Sequence, residues 1–100
     1  MDISIILILA ECDINNERVI LYVDKDTDLG MYGVHYSSNG KTYPLPSINL
    51  KREEIVQVIT RMGKDISYTP RGYVQIHEVY LDQTKPLLCG RSGVNIVKLP

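Results

Sequence analysis

An uncharged apolar run near the start of the chain is the feature that most constrains its fold. Residues 3–9 read Ile-Ser-Ile-Ile-Leu-Ile-Leu, so apolar side chains fall on both faces of an extended strand. β-Branched residues dominate the run, which is typical of strands buried on both sides. A membrane-spanning helix needs about 20 apolar residues, so the run is too short for one. We therefore predict that it forms the central strand of a sheet and pairs in a hairpin with a strand at residues 19–23.

One segment of the chain has the periodicity of a helix. Apolar residues recur at i, i+3, i+4 and i+7, and this stripe is made of Ile55, Val58, Ile59 and Met62. The pattern predicts an amphipathic helix over about residues 50–62, followed by Gly63 in the left-handed conformation. A chain of 100 residues has room for one domain. We predict a single α+β domain over residues 1–100, mainly an antiparallel sheet with the helix packed on one face.

The aromatic residues are all tyrosine, and three of the seven fall on or beside a predicted hairpin. Asn39-Gly40 favours a two-residue turn, which sets Tyr36 opposite Tyr43. Pro44 then marks an edge strand. Tyrosine offers a large amphipathic contact area with few rotatable bonds, so we predict an exposed partner-binding cluster of Tyr32, Tyr36 and Tyr43. The alternative is that these tyrosines replace phenylalanine in the core.

The net charge of −1 conceals an acidic first half and a basic second half. Residues 1–50 carry three basic and seven acidic side chains, whereas residues 51–100 carry eight basic and five acidic ones. The two halves of one fold can attract each other, but such asymmetry also fits an electrostatic partner. Nucleic-acid binding is therefore the alternative function, although the pI of 6.1 is far below the values above about 9 typical of such domains, and Tyr80 is expected to face the core. The candidate residues are Lys51, Arg52, Arg61, Lys64, Arg71 and Arg91.

Metal-binding patterns are weak in this sequence. Asp24, Asp26 and Asp28 alternate as in the start of a calcium loop, but the glycine and glutamate that complete such a loop are missing. The competing interpretation is a solvated acidic turn. His35 and His77 lack the short spacing to each other or to a cysteine that marks a zinc site, and both are expected at solvent-facing strand positions. We predict no metal and no cofactor.

No catalytic arrangement stands out. His77 and Glu78 are adjacent in a predicted strand and therefore point to opposite faces of the sheet. A Ser–His–acid site would have to recruit Ser37, Ser38 or Ser92, and no nucleophile-elbow motif marks any of them. We predict that the protein is not an enzyme.

The two cysteines, Cys12 and Cys89, lie far apart and define no disulfide framework. Asp2 and the lack of Lys or Arg before the apolar run argue against an export signal, as does Glu11 near the position of cleavage. We therefore expect free thiols and a cytoplasmic protein.

The order of features in residues 50–100 is similar to that of a known family. It consists of the predicted helix ending at Gly63-Lys64, a turn at Pro70-Arg71-Gly72, and a final Asn95-Ile96-Val97-Lys98-Leu99-Pro100. This order resembles a family of short bacterial proteins known only as a domain of unknown function, with a helix ending in Gly, a hairpin and a C-terminal Asn-Leu-x-x-Leu-Pro. The resemblance implies a fold and supplies no catalytic residue. We predict a small non-enzymatic binding module, a regulator or inhibitor acting through protein–protein contact with another protein or with its own copy.

Overall fold

The computed structural model describes residues 1–90 and 93–100 of the chain. This part contains ten strands and two short 3-10 helices, Leu29–Met31 and Pro70–Gly72. The strands are β1 (Ile3–Leu9), β2 (Arg18–Val23), β3 (Thr27–Asp28), β4 (Tyr32–Tyr36), β5 (Lys41–Pro44), β6 (Asn49–Leu50), β7 (Ile55–Arg61), β8 (Ile66–Tyr68), β9 (Ile76–Gln83) and β10 (Val94–Lys98). No helix among these residues is long and apolar enough to cross a membrane.

The strands form two main sheets that enclose the core. The larger sheet has the order β1-β2-β7-β9-β8, the second has the order β10-β4-β5, and β3 pairs with β6. Strands β7 and β9 are parallel, while the other pairs in the described chain are antiparallel. Buried side chains of both main sheets belong to one hydrophobic cluster, so the sheets pack face to face as a sandwich.

The core residues of the strands follow the alternation of side chains between the two faces of a sheet. Every second residue of β2 and of β4 points inward, and each of these side chains is at most 2% exposed: Val19, Leu21 and Val23 in β2, and Tyr32, Val34 and Tyr36 in β4. Full burial of one such side chain contributes about 1.5–3 kcal/mol. The core therefore lies between β2 and β7 on one side and β4 on the other.

The predicted helix over residues 50–62 is wrong, and with it the α+β fold class, because this segment forms a turn followed by β7. Five of the seven residues of β7 are β-branched. Such side chains lose rotamer freedom in a helix and fit the pleated surface of a strand. Glu53 has a φ of 77°, which excludes a helical start at that position. The described chain is an all-β sandwich.

Gly63 has a different role from the predicted helix stop. Its backbone is not in the left-handed region, and a Cβ placed on it would collide with the ring of Tyr80. The glycine therefore allows the aromatic ring to lie directly against the backbone.

β1 lies at the edge of the larger sheet, so the prediction of a central strand is wrong. Its antiparallel pairing with β2 is confirmed, although an irregularity shifts the register between Ile5 and Leu7. Ile3 is buried and Ile5 packs on the core, whereas Leu7 and Leu9 are 50% and 42% exposed. One apolar face of β1 is thus covered by the chain itself and the other is open.

The hairpin between β4 and β5 has a different register from the predicted one. Val34 lies opposite Tyr43, and Tyr36 lies opposite Lys41, because residues 37–40 form a four-residue loop in place of a two-residue turn. The shift is by two positions and keeps each side chain on its expected face. The rings of Tyr36 and Tyr43 still meet edge to face, with centroids 5.6 Å apart. The prediction that this strand is an edge strand is confirmed.

Cys12 and Cys89 form a disulfide, so the expectation of free thiols is wrong. Their Cα atoms are 4.5 Å apart despite a separation of 77 residues in sequence. The bond joins the loop that follows β1 to the loop that follows β9. The separation in sequence gave no sign of this contact, because the loop after β9 comes to lie beside the loop after β1 only once the strands have paired.

A buried carboxylate reinforces the same junction. Glu17 is 0% exposed, and its Oε1 accepts hydrogen bonds from the backbone N–H groups of Cys12 (3.0 Å) and Leu88 (2.9 Å). Its Oε2 accepts from Thr60 Oγ1 (2.6 Å) and from the N–H of Leu87 (2.9 Å). Four donors satisfy both oxygens, which is what burial of a carboxylate requires. Glu17 therefore ties both loops of the disulfide to β7.

Candidate interaction surface

The side of the larger sheet that points away from the core presents a continuous surface, here called the outer face. Strand register aligns its side chains in three rows that cross the sheet. The first row is Ser4, Tyr22, Ile55, Ile76 and Tyr68. The second row is Leu7, Ile20, Gln57, Glu78 and Ile66. The third row is Leu9, Arg18, Ile59 and Tyr80. Ten of these fourteen side chains are aliphatic or aromatic.

The outer face is most open at its two borders. Leu7 and Leu9 on β1 are 50% and 42% exposed, and Ile66 and Tyr68 on β8 are 50% and 37% exposed. In the middle of the sheet, Ile59 is buried beneath its neighbours. Clustered apolar side chains of this kind on a sheet surface typically mark an interaction site.

Glu78 lies in the second row of the outer face, on β9, and both of its carboxylate oxygens accept hydrogen bonds. Tyr68 donates its hydroxyl to Oε2 at 2.9 Å, and Tyr80 donates to Oε1 at 2.9 Å. The hydrogen bond to this carboxylate raises the pKa of Tyr68 above its ordinary value. Burial, and next the hydrogen bond that Tyr80 itself donates to Glu78, raise the pKa of Tyr80. Both tyrosines therefore remain neutral donors, and the negative charge of the surface is held in place by them.

The two arginines at this surface already have partners in the chain. Arg18 Nη1 donates to the amide oxygen of Gln57 at 2.8 Å. The guanidinium carbon of Arg61 lies 5.1 Å from the centroid of the Tyr80 ring, and its Nε donates to the backbone oxygen of Asn15. These contacts fix both side chains at the end of the sheet where β7 finishes.

The predicted tyrosine cluster lies in the core. Tyr32 and Tyr36 are 2% and 0% exposed, and Tyr43 is half-buried against the core. The expectation of an exposed cluster is therefore wrong, and these residues occupy the places that phenylalanine would fill. Burial raises the pKa of Tyr36 well above its ordinary value, and its hydroxyl has no hydrogen-bond partner among the described residues.

The predicted basic residues are divided between two ends of the larger sheet. Lys51 and Arg52 precede β7, and Arg71 lies in the turn before β9, whereas Arg61 is the last residue of β7 and Lys64 follows it. The seven residues of β7 separate the two groups by about 20 Å at roughly 3.3 Å per residue. The sixth, Arg91, lies outside the described residues. The structure does not bring the five described residues into one patch.

The three aspartates of the acidic loop bond to separate parts of the chain. Asp24 accepts a hydrogen bond from a serine of β1, and Asp26 accepts from the backbone N–H of Arg52. Asp28 caps the 3-10 helix that follows it. In the described chain no three acidic, histidine or cysteine side chains are placed to hold one metal ion.

The two histidines have different environments. His35 points away from the core, as predicted, and its Nδ1 lies 2.9 Å from Thr42 Oγ1. His77 is 3% exposed on the core side of the larger sheet, so its predicted solvent-facing position is wrong. The prediction that His77 and Glu78 face opposite sides is confirmed, since His77 aligns with buried Val56.

Sequence reasoning missed the outer face. The signal available in the sequence was the alternation of Ile76, Glu78 and Tyr80 along one strand. A glutamate between two apolar residues of the same strand face indicates that this face is open to solvent. Tyr80 lies on that side, so its expected position toward the core is wrong.

No protein-family model, curated protein or solved structure matches this chain. The resemblance of residues 50–100 to a family of short bacterial proteins stays a prediction, and the helix that formed part of it is a strand in the structure.

Proposed function

We propose that this protein is a non-enzymatic binding module that acts through protein–protein contact, and that the outer face is its contact surface. The observation that supports this proposal is the alignment of mainly apolar side chains across the outer face, where those on β1 and β8 are exposed to solvent. A regulator or inhibitor needs a rigid surface of this kind, and the surface is built on strands of a disulfide-linked sandwich.

The chemistry of the outer face favours a protein over a nucleic acid. Glu78 places a carboxylate in the second row of the surface, where it would repel phosphate groups. Arg18 and Arg61 are engaged by the chain itself. Aromatic residues and arginine surrounded by aliphatic side chains are typical of the centre of a protein–protein interface. The nucleic-acid alternative would need the two separated basic groups to act together.

Paired variants test this proposal. Leu7→Lys places a charge on the outer face, and Asn95→Lys places the same charge on an exposed position of β10, on the outside of the smaller sheet. Each protein is used to recover partners from extracts of the source cells, and bound proteins and nucleic acids are quantified by mass spectrometry and sequencing. We expect at least one protein that is retained by the wild type and by Asn95→Lys but lost by Leu7→Lys.

The outcome that contradicts the proposal is equally defined. Recovery of nucleic acid that is released by salt and that binds Leu7→Lys as well as wild type would favour the alternative function. Sedimentation of the pure protein over a range of concentrations shows in parallel whether a second copy is the partner, since Leu7→Lys would then abolish the dimer while Asn95→Lys would not.

The predicted cytoplasmic location stays a prediction, and the Cys12–Cys89 disulfide weighs against it. Disulfides persist mainly in oxidising compartments, because glutathione and thioredoxin keep cytosolic thiols reduced. We propose that the protein acts where this bond is retained. Trapping of thiols with a maleimide in intact cells tests this, because a cytosolic reduced form would take up two labels and the oxidised form none.

A further inference from the structure

A hydrogen-bonded row of serine, histidine and glutamate lies where β7 and β9 begin. Ser67 Oγ is 2.7 Å from His77 Nδ1, and His77 Nε2 is 2.9 Å from Glu54 Oε1. The histidine is 3% exposed and the glutamate side chain 12% exposed, whereas Ser67 is exposed. Only the serine end of the row therefore faces solvent.

Strand register brings these three residues together. Ser67 on β8 is directly opposite His77 on β9, and Val56 of β7 aligns with His77 from the other side. Glu54 precedes Val56 by two positions and so reaches the same face. The turn before β7 fixes its carboxylate, because the backbone N–H of Lys51 also donates to Oε1 at 3.1 Å.

The contacts fit one tautomer of the His77 ring, in which Nε2–H donates to the Glu54 carboxylate and Nδ1 keeps the lone pair. Nδ1 can then accept the hydroxyl proton of Ser67. A nucleophile bonded to a base, which is in turn oriented by a carboxylate, is the arrangement that activates serine for attack.

We propose that Ser67 is an activated nucleophile and a site of covalent modification by activated acyl or phosphonyl donors. In this step Ser67 Oγ forms a bond to the electrophilic carbon or phosphorus atom, and its proton moves to His77 Nδ1. The bond to the leaving group breaks, and that group departs with the bonding electrons. The resulting imidazolium is stabilised by Glu54, which acts as a positioning residue through His77. β8 is an edge strand, so the hydroxyl is reached without opening the sandwich.

A fluorophosphonate is the probe that tests this proposal. Its phosphorus–fluorine bond is replaced by a phosphorus–oxygen bond to serine, and fluoride leaves. Ser47 is the internal control, since it is exposed and its hydroxyl donates to the carboxylate of Asp28 without a histidine. A general base accelerates such a step by about 10²–10⁴-fold, so we expect peptide mapping to show Ser67 labelled at least about 100-fold faster than Ser47.

Variants distinguish activation from simple exposure. Glu54→Gln removes the charge that stabilises the imidazolium and is expected to lower the labelling rate of Ser67 by about tenfold or more, while Glu54→Asp restores part of it. His77→Gln removes the base, and circular dichroism identifies any loss of fold in this buried variant. Labelling of Ser67 at the rate of Ser47 in the wild type would overturn the proposal. Equal labelling in wild type and in a folded Glu54→Gln variant would also overturn it.

Discussion

The substitution Glu17→Gln tests how much the buried carboxylate contributes to the fold. The amide has nearly the same shape as the carboxylate, but it replaces one acceptor oxygen with a donor NH₂ group. Whichever oxygen is replaced, two of the four donors around Glu17 then face a nitrogen. The least costly orientation sets the NH₂ toward Thr60, whose hydroxyl can turn to accept, and leaves the N–H of Leu87 unpaired.

The expected loss of stability follows from these contacts. Hydrogen bonds to a charged group contribute about 1.5–3 kcal/mol and neutral ones about 0.5–1.5 kcal/mol, so three retained bonds each weaken by about 1 kcal/mol. An unpaired buried N–H costs about 1–3 kcal/mol more. Removing the buried charge recovers part of its desolvation cost, which we take as about 2 kcal/mol. The net expected decrease in the free energy of unfolding is therefore about 3 kcal/mol.

Urea denaturation followed by circular dichroism measures this decrease with the disulfide intact. The matched control is Glu11→Gln, which makes the same chemical change at an exposed position and is expected to alter stability by less than about 0.5 kcal/mol. A Glu17→Gln protein as stable as Glu11→Gln would refute the reasoning, because the four donors would then be satisfied without the charge.

Three further changes have defined outcomes. Loss of the Cys12–Cys89 bond by double substitution to serine frees a loop of 77 residues, which in the chain-entropy account costs up to about 4.5 kcal/mol; a thermal midpoint unchanged by the substitution would contradict it. Gly63→Ala forces the Tyr80 ring to move and is expected to cost about 1–3 kcal/mol by calorimetry, so a neutral result would contradict the close contact. Burial raises the pKa of Tyr36 above its ordinary 10.0, so the native state keeps a proton that the unfolded chain releases, and stability should fall as pH rises beyond 10. Tyr36→Phe should weaken that fall and, at neutral pH, cost nothing, because the hydroxyl has no partner in the part of the chain that the structure describes; an equally steep fall in the variant would show that Tyr36 is not its source.

Local pairing was predictable from the sequence, while the conformation of residues 55–61 was not. The hairpin of β1 with β2 follows from apolar runs and turn residues. In β7, however, Ile55, Val58 and Ile59 satisfy both a helical stripe and a strand buried on both faces. The helix prediction relied on the helical period and gave less weight to the β-branched residues. In the structure this segment is a strand because it pairs with β2 on one side and with β9 on the other.

The candidate sites depend on register across distant strands, which a single sequence does not show. Ser67, His77 and Glu54 meet only because β7 and β9 are parallel and β8 returns antiparallel to β9. Motifs alone mark none of these three residues, since the sequence does not reveal how their strands pair. The same limitation applied to Cys12 and Cys89, whose contact depends on the whole larger sheet being assembled.

The larger sheet is covered on one side and open on the other. The three-stranded sheet packs on its inner side, whereas apolar side chains on the outer side of β1 and β8 are exposed to solvent. Because Glu78 already accepts from Tyr68 and Tyr80, a protein that covers this face need not supply new donors to its carboxylate, and burial of the charge costs less than it would for a bare carboxylate. A nucleic acid would gain nothing from that arrangement, because the negative charge of Glu78 remains on the face. The internal hydrogen bonds of the outer face therefore favour a protein partner over a nucleic acid. The part of that partner that lies over β1 is expected to be apolar, because it would contact the exposed leucines of this strand.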